Sequence, residues 1–288
     1  MKTMSFNASK WCGIMNECTL CFHHCLLSEN QTGFCRARKN VDGKIVPVSY
    51  GHVTSVALDP IEKKPLHRFY PGTRILSIGG FGCNLRCPFC QNHDISMADE
   101  IHAKTTPLPP EQALRLALNL LNQGNIGVAY TYNEPLISYE YVYDTAKLIH
   151  EAGLKNVLVT NGTINEEPLR KLMPYIDALN VDLKGFTQDF YDKLHGDLAS
   201  VKRTIQIANE SAHVEITTLI IPGENDSEED MENEAKWIAS LDPDIPLHLS
   251  RFFPHYHWND RPITPIETLH KLEAIAKKHL KHVYLGNV

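Results

Sequence analysis

Gly79-Gly80-Phe81-Gly82-Cys83-Asn84-Leu85-Arg86-Cys87-Pro88-Phe89-Cys90 follows directly on the apolar run Arg74-Ile75-Leu76-Ser77-Ile78. A short apolar run that opens into a glycine-rich loop has the pattern of a buried strand presenting a loop at its C-terminal end. The cysteine spacing is Cys-x3-Cys-x2-Cys, and three thiolates on one compact loop can converge on three irons of a 4Fe-4S cube. No fourth cysteine lies nearby, so one iron is left open, as catalytic metal sites keep a vacant position for substrate. The competing reading is a structural zinc site made of these cysteines and a histidine such as His93.

Outward from this loop, short apolar runs alternate with helical periodicity. Strands are expected at Ile75 to Ile78, Gly127 to Tyr130, Val157 to Thr160, Ala178 to Asp182, Val214 to Ile221 and Leu247 to Leu249, with another at Val283 to Leu285. Helices are expected at Glu111 to Leu121, Ile137 to Glu151, Glu166 to Leu172, Ser200 to Asn209, Ser227 to Ser240 and Pro265 to Leu280. The last is expected to start with Thr264 as N-cap, Pro265 at N1 and Glu267 at N3. Runs buried on both faces and joined by helices describe a parallel sheet with right-handed crossovers. Six such units, with no Gly-x-Gly-x-x-Gly after the first strand, fit an α/β fold of the partial (β/α)6 TIM-like barrel kind better than a doubly wound nucleotide fold. Chemistry then belongs at the strand C-termini, where Asp182 and Lys184 point to the same side by period two, the side of the lumen mouth.

All eight cysteines (Cys12, Cys18, Cys21, Cys25, Cys35, Cys83, Cys87 and Cys90) fall at or before residue 90 of the 288. Such clustering, behind a start (MKTMSFNASKWCG) with no continuous apolar stretch of a secretory leader, points to thiolate ligands in a reducing compartment, and the expected location is the cytoplasm. The spacing Cys18-x2-Cys21-x3-Cys25-x9-Cys35 offers a second metal site, for zinc or an auxiliary iron-sulfur cluster, and Cys12 reads as a spare thiol. The expected division is a Cys-rich metal-binding segment with its Pro-punctuated connector over 1–72 and the barrel over 73–288. A net charge of −6 gives no basic surplus for nucleic acid, and no 18-residue apolar stretch suggests a membrane span.

The Cys83-Cys87-Cys90 loop, with aromatic Phe89 before the last cysteine, resembles the signature of the radical S-adenosylmethionine (SAM) superfamily. That resemblance implies an oxidoreductase-type enzyme whose reduced 4Fe-4S cluster cleaves SAM to a 5'-deoxyadenosyl radical that abstracts hydrogen from a substrate. It places Phe89 near the adenine, and the equivalent of a Gly-Gly-Glu motif at Tyr132-Asn133-Glu134-Pro135, which makes Asn133 and Glu134 cofactor-binding candidates. Thr160-Asn161-Gly162, Asp182-Leu183-Lys184-Gly185 and Ile220-Ile221-Pro222-Gly223 resemble strand ends of pyruvate formate-lyase activating enzymes. They nominate Asn161 and Asp182 for the cofactor, and Asp182 and Lys184 for catalysis. Where that group has an arginine for the cofactor carboxylate this chain has Thr217, and Arg251 is a candidate for the missing cation or for substrate contact.

Several segments together, namely Cys18-x2-Cys21 through Cys25, Asp59 to Leu66, Phe69-Tyr70-Pro71-Gly72, Cys90-Gln91-Asn92 and Tyr132-Asn133-Glu134-Pro135, are similar to the AmmeMemoRadiSam radical enzyme family. That likeness implies Memo-like and AMMECR-like partners and a one-electron donor such as flavodoxin or ferredoxin. The alternatives are a glycyl radical enzyme activase and a non-enzymatic zinc-binding interaction module.

Overall fold

The computed structural model describes residues 15–288; Cys12 lies outside them. Eight strands form one sheet in sequence order: β1 (Ser55–Pro60), β2 (Arg74–Gly79), β3 (Asn125–Tyr130), β4 (Lys155–Thr160), β5 (Ala178–Asp182), β6 (His213–Ile220), β7 (Leu247–Arg251) and β8 (Val283–Gly286). Every neighbouring pair from β2 to β8 is parallel, and only β1 runs antiparallel, beside β2. The crossovers carry α1 (Pro110–Asn119), α2 (Tyr139–Glu151), α3 (Glu166–Leu172), α4 (Leu198–Asn209), α5 (Glu228–Leu241) and α6 (Ile266–Ala276). The sheet is that of an open, partial barrel, with β1 and β8 as its two unjoined edges.

Alternation along the strands separates two apolar environments. Leu76, Val128, Leu158, Leu179, Ile216 and Leu247 meet the helices in the main core. Their immediate neighbours Ile75, Ala129, Val157 and Ala178 face the other way and pack with Ile61, Leu66 and Phe69. The connector therefore plugs the floor of the barrel. The boundary expected at residue 73 moves accordingly: residues 55–60 are a strand of the same sheet, and Ile61 and Leu66 are fully buried. Proline spacing made this stretch look like a linker, because an edge strand that ends at Pro60 tolerates the missing donor.

Glu215 of β6 clamps the plug. Its buried carboxylate accepts from His67 N at 3.0 Å, Arg68 N at 2.8 Å, His213 Nε2 at 2.9 Å and His248 Nε2 at 2.6 Å. Burial alone would raise its pKa, but the bonds from the two histidines and the two backbone amides hold it down at about 2, against an ordinary 4.5. Because the folded-state value is depressed, the stabilisation is complete above the unfolded-state pKa and is lost as pH falls from about 4.5 toward about 2, a total of about 3 kcal/mol. Glu215→Gln is expected to lower stability at pH 7 by that order and to flatten the acid limb, which urea unfolding at pH 7 and pH 3 measures; equal acid limbs in both proteins would contradict it.

The first Cys-rich residues are core as well as ligand candidates. Cys18 and Leu20 join the main core, and Cys35 and Ala37 pack with Phe81 and Ile137. At the far end α6 starts at Ile266, one residue later than expected, and Thr264 does not cap it. Its hydroxyl instead donates to Ile220 O at 2.6 Å and accepts from Phe252 N at 3.1 Å, tying the end of β6 to the loop after β7.

Candidate active site

The cysteine loop leaves β2 at the C-terminal end of the parallel strands, where a barrel gathers its functional groups. Three surfaces hold it. Leu85, Cys87 and Phe89 pack with Phe190, Leu194, Ile221 and Phe252, while Cys83, Cys90 and Trp258 border the same cluster. Phe89 lies 5.3 Å from the Trp258 ring and parallel to Phe190 at 6.4 Å. Above it, His257 N and Trp258 N both donate to Pro88 O, at 2.9 and 3.2 Å. On the third side Cys83 N donates to Cys35 O at 3.2 Å, His23 Nε2 donates to Asn84 O at 2.8 Å, and Arg86 stacks over Phe34, 3.9 Å from its centroid, while donating to Phe34 O. The amino-terminal cysteine segment is thus one wall of the loop.

The three thiols are free, Cys87 buried and Cys83 and Cys90 half-buried. Burial pushes Cys87 up to about 12, and burial followed by the Glu134 charge pushes Cys83 well above the ordinary thiol value. A soft metal overcomes that penalty by replacing the proton. His93, the histidine considered for a zinc site, stacks on Tyr256 at 4.3 Å and edges against His255 at 5.2 Å. Among the described residues no three His, Cys, Asp or Glu side chains stand close enough to hold a single ion. Three thiols on one loop inside an apolar wall fit a cluster, whose donors attach to separate irons.

Asp182 and Lys184 face this loop. Lys184 Nζ donates to Asp182 Oδ2 at 2.7 Å. Burial alone would lower the Lys184 pKa, but the charges of Asp182 and Cys87 hold it above the ordinary lysine value. Behind them, Tyr191 OH accepts from Lys184 N at 3.0 Å, and Asn225 donates to Lys184 O and Leu219 O, each at 2.8 Å, while accepting from Ile221 N at 2.7 Å. Asn225 and Tyr191 were not singled out from the sequence. An asparagine four residues past Ile221 carries no spacing signal of its own, and Tyr191 falls in the short helix Gln188–Lys193, outside the elements expected from the sequence.

Three cofactor candidates are engaged by the chain itself, and one of them, Asn133, braces the loop. Asn133 Oδ1 accepts from Gly80 N at 2.9 Å and its Nδ2 donates to Gly82 O at 3.0 Å. Glu134 accepts from Thr160 Oγ1 at 2.8 Å, Asn161 N at 2.7 Å and Leu136 N at 2.9 Å. Thr217 Oγ1 donates to Asn180 Oδ1 at 3.0 Å. Arg251 is not brought to the group: its Nε donates to Thr264 O at 2.8 Å and its guanidinium lies over Phe253. Alternation explains this, since Leu249 packs in the helix-side core and Arg251 follows it by two. By the same alternation His248 and Ser250 take the lumen side.

Tyr132 joins two motifs that are far apart in sequence. Its hydroxyl donates to Asp59 Oδ2 at 2.6 Å, which also accepts from the buried Lys64 at 2.8 Å, and its carbonyl accepts from Asn92 Nδ2 at 2.7 Å. Its left-handed backbone, φ +73°, swings the ring over Gly79, where a Cβ would come within 2.8 Å of the ring.

Glu134 has a pH consequence. Burial raises its pKa from 4.5 to about 7 despite the three hydrogen bonds, which pull the other way. The native state therefore keeps a proton that the unfolded chain has lost, and this contribution falls as pH rises from about 4.5 through about 7, by up to about 3 kcal/mol. The stability of the natural protein relative to Glu134→Gln is expected to decline between pH 5 and pH 8 in denaturant titrations; a constant difference would contradict the assignment.

Three comparisons bear on this geometry. The family model described as the Radical SAM superfamily matches residues 77–235. An uncharacterized protein of Methanocaldococcus jannaschii is 42% identical over 276 residues, 94% of this chain and 81% of its own length. The pyruvate formate-lyase 1-activating enzyme of Escherichia coli is 24% identical over 165 residues, 55% of this chain and 65% of its own. Streptococcus suis SuiB bound to S-adenosylmethionine has the same fold at a TM-score of 0.56 and 14% identity, over 71% of this chain and 47% of that one. A parallel partial barrel, a three-thiol loop after its first parallel strand and a family match across more than half of the chain converge on one conclusion: this chain is an enzyme of the radical SAM superfamily.

Proposed function

We propose that Cys83, Cys87 and Cys90 hold the 4Fe-4S cluster and that the lumen mouth beside Asp182 and Lys184 receives SAM and the group it acts on. The observation that carries this reading is the convergence of three free thiols, Cys87 buried and Cys83 and Cys90 half-buried, on one loop at the strand C-termini, with the Asp182–Lys184 pair acting on Cys87. Cluster and cofactor together supply reductive cleavage of a carbon-sulfur bond and a radical that abstracts hydrogen. The chain's own part is to grip the loop from three sides, exclude water with Phe89, Phe190, Phe252 and Trp258, and hold a fixed carboxylate and ammonium at the mouth.

The connector motifs and the amino-terminal cysteines support an AmmeMemoRadiSam-type enzyme working in the cytoplasm with Memo-like and AMMECR-like proteins and a flavodoxin- or ferredoxin-like electron donor. Among the described residues no helix is long and apolar enough to cross a membrane. The spacing of Cys18, Cys21, Cys25 and Cys35 is what supports a second metal at that segment, zinc or an auxiliary iron-sulfur cluster, while the described side chains do not stand close enough together to hold a single ion. The test is anaerobic reconstitution with iron and sulfide, then reduction by dithionite in the presence of SAM. Formation of 5'-deoxyadenosine and methionine is expected; a loaded protein that forms neither overturns the reading.

A second reading, a glycyl radical enzyme activase, is favoured by the strand-end segments Asp182-Leu183-Lys184 and Ile220-Ile221-Pro222-Gly223 together with the similarity to the Escherichia coli activating enzyme. A stable organic radical left on a partner protein would select it, whereas turnover of a non-protein substrate would select the first.

A further inference from the structure

The amide of Asn161 has one orientation available. Its Oδ1 accepts from Thr163 N at 3.0 Å and from the Thr163 hydroxyl at 2.5 Å, and a backbone N–H can only donate, so the oxygen must face it. The NH2 end then points the opposite way. There it donates to Asn84 Oδ1 at 2.9 Å and reaches Cys83 Sγ at 3.6 Å, one hydrogen for each acceptor. The residue is buried, and its backbone N–H is fixed by Glu134 at 2.7 Å, so the fork is preset before any metal arrives. Leu85 N lies 3.4 Å from the same sulfur. Cys87 and Cys90 are served differently, by the charge of Lys184.

Adding an electron to an iron-sulfur cluster increases the negative charge on its sulfurs, and an N–H aimed at a ligand sulfur stabilises the reduced form more than the oxidised one. We infer that Asn161 is a positioning residue that raises the reduction potential of a cluster on Cys83, Cys87 and Cys90 by donating its side-chain N–H to the Cys83 sulfur. This rests on the cluster assignment proposed above.

The experiment is an EPR-monitored redox titration of the full chain, reconstituted anaerobically, for the natural protein, Asn161→Leu and Asn84→Ala. Asn161→Leu keeps the volume and removes the donor, so at a fixed poise its ratio of reduced to oxidised cluster is expected to fall about tenfold, a shift of about 59 mV to more negative potential. Asn84→Ala removes the other arm of the fork but leaves the N–H on sulfur, and is expected to titrate close to the natural protein. An unchanged potential in Asn161→Leu, or an equal shift in Asn84→Ala, overturns the inference. Should Asn161→Leu lose its iron, the natural protein carrying 15N on its asparagine side-chain amides decides the matter. Pulsed EPR of its reduced cluster is expected to show coupling to one such nitrogen, and absence of the coupling overturns the inference. Natural protein with no cluster at all is a different failure, that of the assignment beneath it.

Discussion

Replacing Cys83, Cys87 or Cys90 by alanine removes the cluster and, with it, reductive cleavage of SAM: less than about a thousandth of the natural protein's 5'-deoxyadenosine is expected, equivalent to at least about 4 kcal/mol of barrier. The size of the effect follows from how the loop is built. Its three thiols are the cysteines at this strand end, and the nearest histidine considered as a substitute, His93, is stacked against Tyr256. Two ligands cannot fix a cube that needs a third and an open fourth corner. The barrel itself does not depend on these sulfurs, since its main core is made by strands and helices elsewhere. Anaerobic purification, iron and sulfide analysis and circular dichroism check this together. A folded, inactive variant that has lost the iron and sulfide of this cluster is expected; any of the three variants that still forms 5'-deoxyadenosine at the natural rate removes that cysteine from the ligand set.

Gly82→Ala is expected to cost about 2–5 kcal/mol, the sum of a left-handed backbone penalty and an overpacked contact. Gly82 sits at φ +81°, and a Cβ there would lie 2.5 Å from Cys35 O and 3.0 Å from both Ala37 Cβ and Ile137 Cδ1. Relief requires Cys35 to retreat, which breaks the Cys83 N to Cys35 O bond and opens the wall formed by the amino-terminal segment. The variant should therefore lose both stability and iron uptake. Gly72→Ala is the control, with nearly the same φ of +80° and nothing within 4 Å of the added carbon. Thermal unfolding and iron incorporation are to be compared for the two. Equal behaviour would mean that the close approach of residues 35 and 82 has no consequence for the loop.

Much of the scaffold was legible because strand and crossover periodicities are strong in this chain. The expected strands at Ala178 to Asp182 and Val157 to Thr160 match β5 and β4 at their C-terminal ends, where the chemistry lies. The edge strand β1 was missed because its Val56-Ala57-Leu58 run is short and ends in the prolines that suggested a connector. The amino-terminal cysteines gave a metal spacing but no hint of their docking, which depends on Phe34, Cys35 and His23 meeting Arg86, Cys83 and Asn84 some 50 to 60 residues away. The polar strand ends were found, yet whether a side chain enters the mouth or supports the loop is decided by partners across the sheet. Asn133 and Glu134 spend their hydrogen bonds on Gly80, Gly82, Thr160 and Asn161. Arg251 was misplaced because a cation after a strand can take either face, and only the register with Leu249 shows which.

The most direct measurement of the central claim is Mössbauer spectroscopy of the anaerobic protein loaded with 57Fe, before and after addition of SAM. A 4Fe-4S cluster is expected in which one iron of the four changes its parameters when SAM is added, while the three held by Cys83, Cys87 and Cys90 do not. Absence of a cluster, or four irons that ignore SAM because a protein side chain already holds the last, would contradict it.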